Sequence, residues 1–174
     1  AVNVRLNGVL MKTMKFLRAL VLVLAFVLPS FSAASDKFPV MPVESVTPGD
    51  LCEDSPVRRY PENIVYCERN VDTQLKNEII KMYDEKFGYQ IRKMNRGDFK
   101  IDHFIPLSIG GSNSIDNLWP QHRSVYEVTD ELELLLYEKL SQAKIKQAEA
   151  IRVMREAKTN LDRVPELKDY INHF

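Results

Sequence analysis

The apolar residues of this chain change their spacing several times, and each change predicts a different element. The first pattern is an unbroken apolar run from Ala19 to Leu28, stopped by Pro29. From Ser35 to Asp50, Pro39, Pro42 and Pro48 break any periodicity, which predicts a linker or an arm lying on the surface. Leu51 to Cys67 is also irregular, with Pro56 and Pro61, and its Tyr60 and Tyr66 are expected to supply packing. Leu75, Ile79, Met82, Tyr83 and Phe87 then recur at steps of three and four, one face of a helix opened by Asp72 and closed by Gly88. Phe99 to Leu107 reads as a strand, Ser108 to Ser114 as a turn-rich loop, and Asn117-Leu118-Trp119 as a second short strand. Asp130 with Glu133 three residues on is a capping pattern, and Leu132, Leu135, Leu136 and Leu140 line a helical face behind it. Further helices are expected from about Ile145 to Lys158, with Ala148, Ile151, Met154 and Ala157 as its apolar residues, and around Pro165 to Ile171. Short strands among several helices make an α+β chain, and its 174 residues suffice for one compact domain, expected over 51–174.

The apolar run changes meaning once its flanks are considered. Met11-Lys12-Thr13-Met14-Lys15 and Phe16-Leu17-Arg18 precede it, and Ser30-Phe31-Ser32-Ala33-Ala34 follows. A basic start, a short apolar core and small residues at a cut site form a secretory signal peptide, with cleavage expected after Ala34. The alternative is a membrane anchor, but ten clean apolar residues fall short of the roughly 20 that cross a bilayer. The expectation is a periplasmic or secreted protein with no stable anchor after cleavage. Residues 1–10 precede the first methionine and look like an upstream extension.

Removing residues 1–34 takes away four of the 24 basic side chains and none of the 24 acidic ones, so an excess of four acids remains. A chain of that balance binds a polyanion through a local basic patch rather than through its overall field. The most basic stretch is Tyr89 to Lys100, where Arg92, Lys93, Arg96 and Lys100 stand against the single acid Asp98. Arg123 lies a little further on. These five are the candidate phosphate contacts, although charge runs are more often ordinary solvated faces. The two cysteines, Cys52 and Cys67, belong to the exported part, where one disulfide is the default reading. A zinc site is the competing reading, and two cysteines at this spacing with no nearby histidine make a poor one.

The segment that carries chemistry is Ile101-Asp102-His103-Phe104-Ile105-Pro106-Leu107, then Gly110-Gly111-Ser112, then Asn117-Leu118-Trp119-Pro120-Gln121. Here the chain resembles the HNH endonuclease superfamily, and in particular small exported bacterial proteins with a DH-x-IPL…GGS…NLWPQ run. The resemblance covers about residues 99–140, and its strength lies in the order and short spacing of the pieces. It implies a small ββα-metal core, a hairpin plus a helix, surrounded by additional helices. It also implies hydrolysis of phosphodiester bonds in DNA, with RNA as the alternative, at low sequence specificity.

By this resemblance His103 is the general base, a task that suits a side chain titrating near neutrality. Asp102 is a metal ligand, and Asn117 ties the loop to the hairpin and holds the histidine in place. The implied cofactor is a divalent cation, Mg²⁺ first, with Mn²⁺, Ca²⁺ or Zn²⁺ as alternatives. Neighbours on a regular strand point to opposite faces, so Asp102 and His103 share one site only if the strand bends or ends there. The family's last ligand, a His or Asn on the helix, has no counterpart, because that zone reads Val125-Tyr126-Glu127-Val128. Glu127 and His122 are the candidates to replace it. The departure keeps a second reading open, a ββα scaffold with incomplete metal ligation that binds a nucleic acid or a protein partner. Gly110 and Gly111 are expected to form a tight left-handed loop, and Trp119 to be core.

Overall fold

The computed structural model describes residues 37–174, so the signal-peptide reading of residues 1–34 lies outside the described residues. The fold is α+β, with two small antiparallel hairpins and four α-helices among the described residues. A minimal hairpin, β1 (Arg58–Arg59) with β2 (Ile64–Val65), comes first. It lies inside the loop closed by the Cys52–Cys67 disulfide, whose Cα atoms are 5.7 Å apart.

Helix α1 (Thr73–Phe87) has the ends its sequence demands. The Asp72 side chain accepts a hydrogen bond from the Leu75 amide at 2.8 Å, satisfying one orphan donor of the first turn. Gly88, at φ 74°, turns the chain out of the helix while its amide donates to the Asp84 carbonyl. Two short 3₁₀ turns, Ile91–Lys93 and Arg96–Asp98, then lead into the central hairpin.

That hairpin pairs β3 (Phe99–His103) with β4 (Leu118–His122), Phe99 opposite His122, Asp102 opposite Trp119 and His103 opposite Leu118. The first strand stops at His103, short of the expected Leu107. Beyond it the Phe104 amide still reaches the Asn117 carbonyl at 2.7 Å, and a 3₁₀ turn then takes over at Leu107–Ile109. The second strand is longer than expected and runs into α2 (Arg123–Ser141) with no loop between them. His122 caps this helix, its Nδ1 accepting from the Ser124 amide at 3.3 Å. The Asp130–Glu133 capping pattern therefore lies inside α2. The buried face starts earlier, at Val125 and Thr129, and continues through Leu132, Leu136 and Leu140.

Helix α3 (Gln147–Thr159) buries Ala150, Val153, Met154, Ala157 and Lys158, and leaves Ala148 exposed and Ile151 half-buried. Its start is fixed by Gln147, whose amide donates to Glu62 and whose side chain donates to the Ile109 carbonyl. Helix α4 (Val164–Asn172) closes the chain.

One apolar cluster joins α2, α3 and α4 through residues such as Leu136, Met154 and Ile171, and takes in Ile105 and Ile109. The other joins Ile79 and Tyr83 of α1 to Phe99, Ile101, Trp119 and Phe104. Phe104 belongs to one cluster and Ile105 to the other, so the end of β3 sits where the two meet. The segment expected as a linker or surface arm is instead stitched into the second cluster. Phe38, Val43 and Val46 pack against that cluster. Thr47 is buried, bonding the Tyr83 hydroxyl at 2.7 Å and donating to the Leu118 carbonyl. Its prolines prevent regular structure without preventing burial. Among the described residues no helix is long and apolar enough to cross a membrane.

Candidate active site

Alternation along β3 divides its last residues between two environments. Lys100 and Asp102 face a polar cavity of about 300 Å³, which is also lined by Ser108, Asp130, Glu133 and Tyr137. His103 turns the other way, towards Arg69 and Asn113. The strand ends at this pair but does not bend enough to bring both side chains to one point.

On the Asp102 side each carboxylate has an ammonium partner. Lys158 of α3, with no exposed surface, donates to Asp102 Oδ2 at 2.8 Å and to the His103 carbonyl at 2.6 Å. Its Nζ lies 4.0 Å from Glu133 Oε2. Lys100 bonds both Asp130 oxygens, at 2.9 and 3.0 Å, and stands 3.9 Å from Asp102 Oδ1. Burial alone pushes the Asp102 carboxyl up, but the charge of Lys158, then that of Lys100, outweighs it and holds the carboxyl below its usual range. Glu133 goes the opposite way. Burial raises it, and Asp102 and Asp130 add to that, while Lys158 only partly offsets the rise.

On the other side His103 is itself buried. The Asn113 amide group donates to the Glu68 carbonyl at 2.7 Å, which fixes its Oδ1 as the acceptor for His103 Nε2–H at 3.1 Å. The remaining lone pair, on Nδ1, faces Arg69 Nη1 at 3.4 Å. A second Arg69 nitrogen donates to the Ile101 carbonyl at 2.9 Å, which anchors the guanidinium at the strand end. Burial pushes the imidazole down to about 4, with Asn113 and Asp102 pulling it up and Arg69 and Lys158 pressing it down. At neutral pH the ring is uncharged and carries one lone pair.

Asn117 organises the connection between the strands. Its side chain accepts from the Ile105 amide at 2.8 Å and donates to the carbonyls of Ile105 and Ser112, each at 2.9 Å. All of these groups are buried, so one side chain satisfies backbone that would otherwise be orphaned. Gly110, at φ 95°, makes the left-handed turn. Gly111 is needed for a different reason, since a Cβ there would lie 1.8 Å from the Ile105 carbonyl oxygen.

The expected ligands Glu127 and His122 are not brought to Asp102. His122 pairs with Phe99 at the opposite end of the hairpin, stacks on Phe38 with ring centroids 4.0 Å apart, and uses Nδ1 to cap α2. Glu127 is exposed on α2. The acids that α2 does bring towards Asp102 are Asp130 and Glu133. No group of three or more His, Cys, Asp or Glu among the described residues is arranged to hold a metal ion. A divalent cation does not fit the Asp102 cluster as it stands, because the oxygens that would ligate it already converge on Lys158.

The basic residues are scattered among partners of their own. Arg92 pairs with Asp84 and Glu85, Arg123 with Asp98, and Lys100 with Asp130, while Arg96 donates to the Phe99 carbonyl at 2.6 Å. Lys93 is exposed. Of the five, only Lys100 touches the Asp102 side. Sequence reasoning missed Arg69, Asn113, Glu133 and Lys158. Asn113 stands directly after Gly110-Gly111-Ser112, a position that could have singled it out, but the other three carry no local signal. No family model, no curated protein and no solved structure matches the chain.

Proposed function

We propose that this protein is an exported endonuclease of the HNH kind, hydrolysing phosphodiester bonds of DNA, or alternatively RNA, with little sequence preference and with His103 as the base. One observation carries the reading. A neutral imidazole at the end of the hairpin strand is locked by Asn113 through Nε2, and its Nδ1 lone pair lies 3.4 Å from the Arg69 guanidinium. A phosphate is the natural occupant beside an arginine whose hydrogen-bond partners, among the described residues, are a carbonyl and a ring nitrogen. Once bound, it draws the guanidinium from Nδ1 and sets negative charge near the ring. Both changes raise the basicity of His103 towards the value a general base needs. A water held between Nδ1 and the phosphorus then loses its proton to the ring as it attacks, the P–O bond to one sugar oxygen breaks, and that departing oxygen takes a proton from solvent. Exposed Lys93, and Arg92, Arg96, Arg123 and Lys100 where a phosphate displaces their present partners, would add phosphate contacts, which makes binding salt-sensitive and tolerant of sequence. Export is supported by the Cys52–Cys67 disulfide, a bond that persists in oxidising compartments. The residues around Asp102 do not fit the divalent cation that the resemblance implies, Mg²⁺ first, because Lys158 already holds their oxygens.

The test is incubation of purified protein with plasmid and with RNA, in chelator and with Mg²⁺, Mn²⁺, Ca²⁺ or Zn²⁺ in turn. Cleavage is expected, and His103→Ala is expected to lower its rate roughly 10²–10⁴-fold. Intact nucleic acid under every condition ends the enzyme reading, and equal cleavage by His103→Ala ends the mechanism. The second reading, a ββα scaffold that only binds nucleic acid or protein, is favoured by the Lys158 ammonium on the Asp102 carboxylate. It predicts salt-dependent retention of DNA that stays uncut.

A further inference from the structure

The Asp102 cluster has the donor set of a cation site. A carboxylate oxygen at 2.8 Å, a backbone carbonyl at 2.6 Å and a second carboxylate oxygen at 4.0 Å converge on one point. Hard oxygen ligands of this kind suit a small, strongly charged cation. The point is occupied by Lys158 Nζ, carried in from α3 with its whole side chain buried. Burying an ammonium is costly unless charge and hydrogen bonds both compensate it, and here both do. The neighbouring carboxylate is also satisfied, since Asp130 is held by Lys100 through both oxygens. A divalent ion approaching Asp102 therefore meets two ammonium groups before it meets a free carboxylate.

We infer that Lys158 is the resident cation of this site, standing where a divalent ion would bind, so that the native chain takes up no divalent ion at Asp102. The ammonium neutralises Asp102 and, through the His103 carbonyl, pins the last residue of β3. Lys158 is thus a positioning residue for His103, tied to it across 55 residues of chain. The inference deepens the reading above by naming the cation of that site. It rests on that reading only for the expectation that the site needs one.

The experiment is Mn²⁺ titration of the purified protein, followed by calorimetry and by paramagnetic broadening of the amide resonances of Asp102 and Glu133. For the native protein, neither heat nor selective broadening is expected at millimolar Mn²⁺. Lys158→Ala empties the position and leaves two carboxylates facing the gap. It is expected to bind Mn²⁺ at least about tenfold more tightly and to melt at a higher temperature when Mn²⁺ is present. Adding Asp102→Asn to the Lys158 variant is expected to abolish that gain, an effect that a merely structural role for Lys158 would not produce.

Native protein that binds Mn²⁺ with broadening at Asp102, lost in Asp102→Asn alone, overturns the inference. A folded Lys158→Ala protein with no gain in Mn²⁺ affinity overturns it too. If Lys158→Ala does not fold, the native titration decides alone. Mn²⁺ uptake is measured without substrate, so absence of cleavage ends the nuclease reading and leaves this one standing. Mn²⁺ binding at Asp102 ends this one and leaves the nuclease reading standing.

Discussion

Burial sets the chemistry of His103, and that has a consequence for stability. The folded ring takes a proton only near 4, against an ordinary histidine value of 6.5. Between those values the unfolded chain binds a proton that the folded chain does not, so stability is complete above 6.5 and falls as pH drops towards 4. Asp102, held low by Lys158, loses its contribution in the same direction but further into acid. Glu133, pushed up by burial, works oppositely and loses stability as pH rises through the carboxylate range. The histidine effect alone should cost about 2 kcal/mol on going from about pH 7 to about pH 5. Urea denaturation at the two pH values should show most of that loss in the native protein and little of it in His103→Gln. Equal losses in both would mean that His103 is not held neutral by its surroundings. The Asp102-His103 pair was legible from its motif, whereas its partners were not. Arg69 and Lys158 arrive from 34 and 55 residues away, and nothing in their neighbourhoods marks a lysine or arginine as buried or shared.

The helices were legible from apolar steps of three and four, whereas the hairpin-plus-helix order rested on the resemblance carried by the DH…GGS…NLWPQ run, since Leu118 to Gln121 is buried without alternation. Its boundaries were less so. The Asp130–Glu133 pattern imitates a helix start, yet α2 begins at Arg123 because His122, an uncommon cap, satisfies the first turn. The connection between the strands depends on two adjacent glycines whose duties separate in the structure. Ala at Gly110 meets a left-handed φ, worth about 1–2 kcal/mol, and meets mainly side-chain atoms of Gln147 and Ile64. Ala at Gly111 meets the Ile105 carbonyl at 1.8 Å, and backbone cannot step aside as a side chain can. That carbonyl is also the acceptor for Asn117, so moving it breaks the bond that holds the loop. Gly111→Ala should therefore cost about 3 kcal/mol or more, clearly beyond Gly110→Ala. Thermal melts of the two variants would check the order, and a Gly111→Ala protein as stable as the native one would refute the account of the loop.

The disulfide does more at the level of the whole molecule than close a loop. Residues 37–67 contain one hairpin of two two-residue strands, and besides the packing of Phe38, Val43, Val46 and Ile64 they are held to the remainder by point contacts. These include Thr47 on Tyr83 and Leu118, the Cys52 amide on the Gly110 carbonyl, and the Ser112 amide on the Asp50 carbonyl. Cys67 is followed directly by Glu68 and Arg69, the residues that supply the carbonyl anchoring Asn113 and the guanidinium facing His103. The Cys52–Cys67 bond therefore locates one wall of the candidate site, a role that cysteine spacing alone does not reveal. With its cysteines 15 positions apart, its loss should cost roughly 3 kcal/mol by chain entropy. A local signature should accompany that loss. Burial holds the His103 ring down and Arg69 adds to it, so freeing the chain at Cys67, which opens the ring to water and loosens Arg69, should let the imidazole titrate closer to an ordinary histidine than its present value of about 4. Titration of the His103 ring protons by NMR in native protein and in Cys52→Ser/Cys67→Ser, with denaturation midpoints alongside, measures both effects. A lower midpoint with an unmoved titration would make the disulfide a staple and nothing more. A shift of both would show that the bond holds the wall of Glu68 and Arg69 over the histidine, and that redox conditions govern the site as well as the stability of the fold.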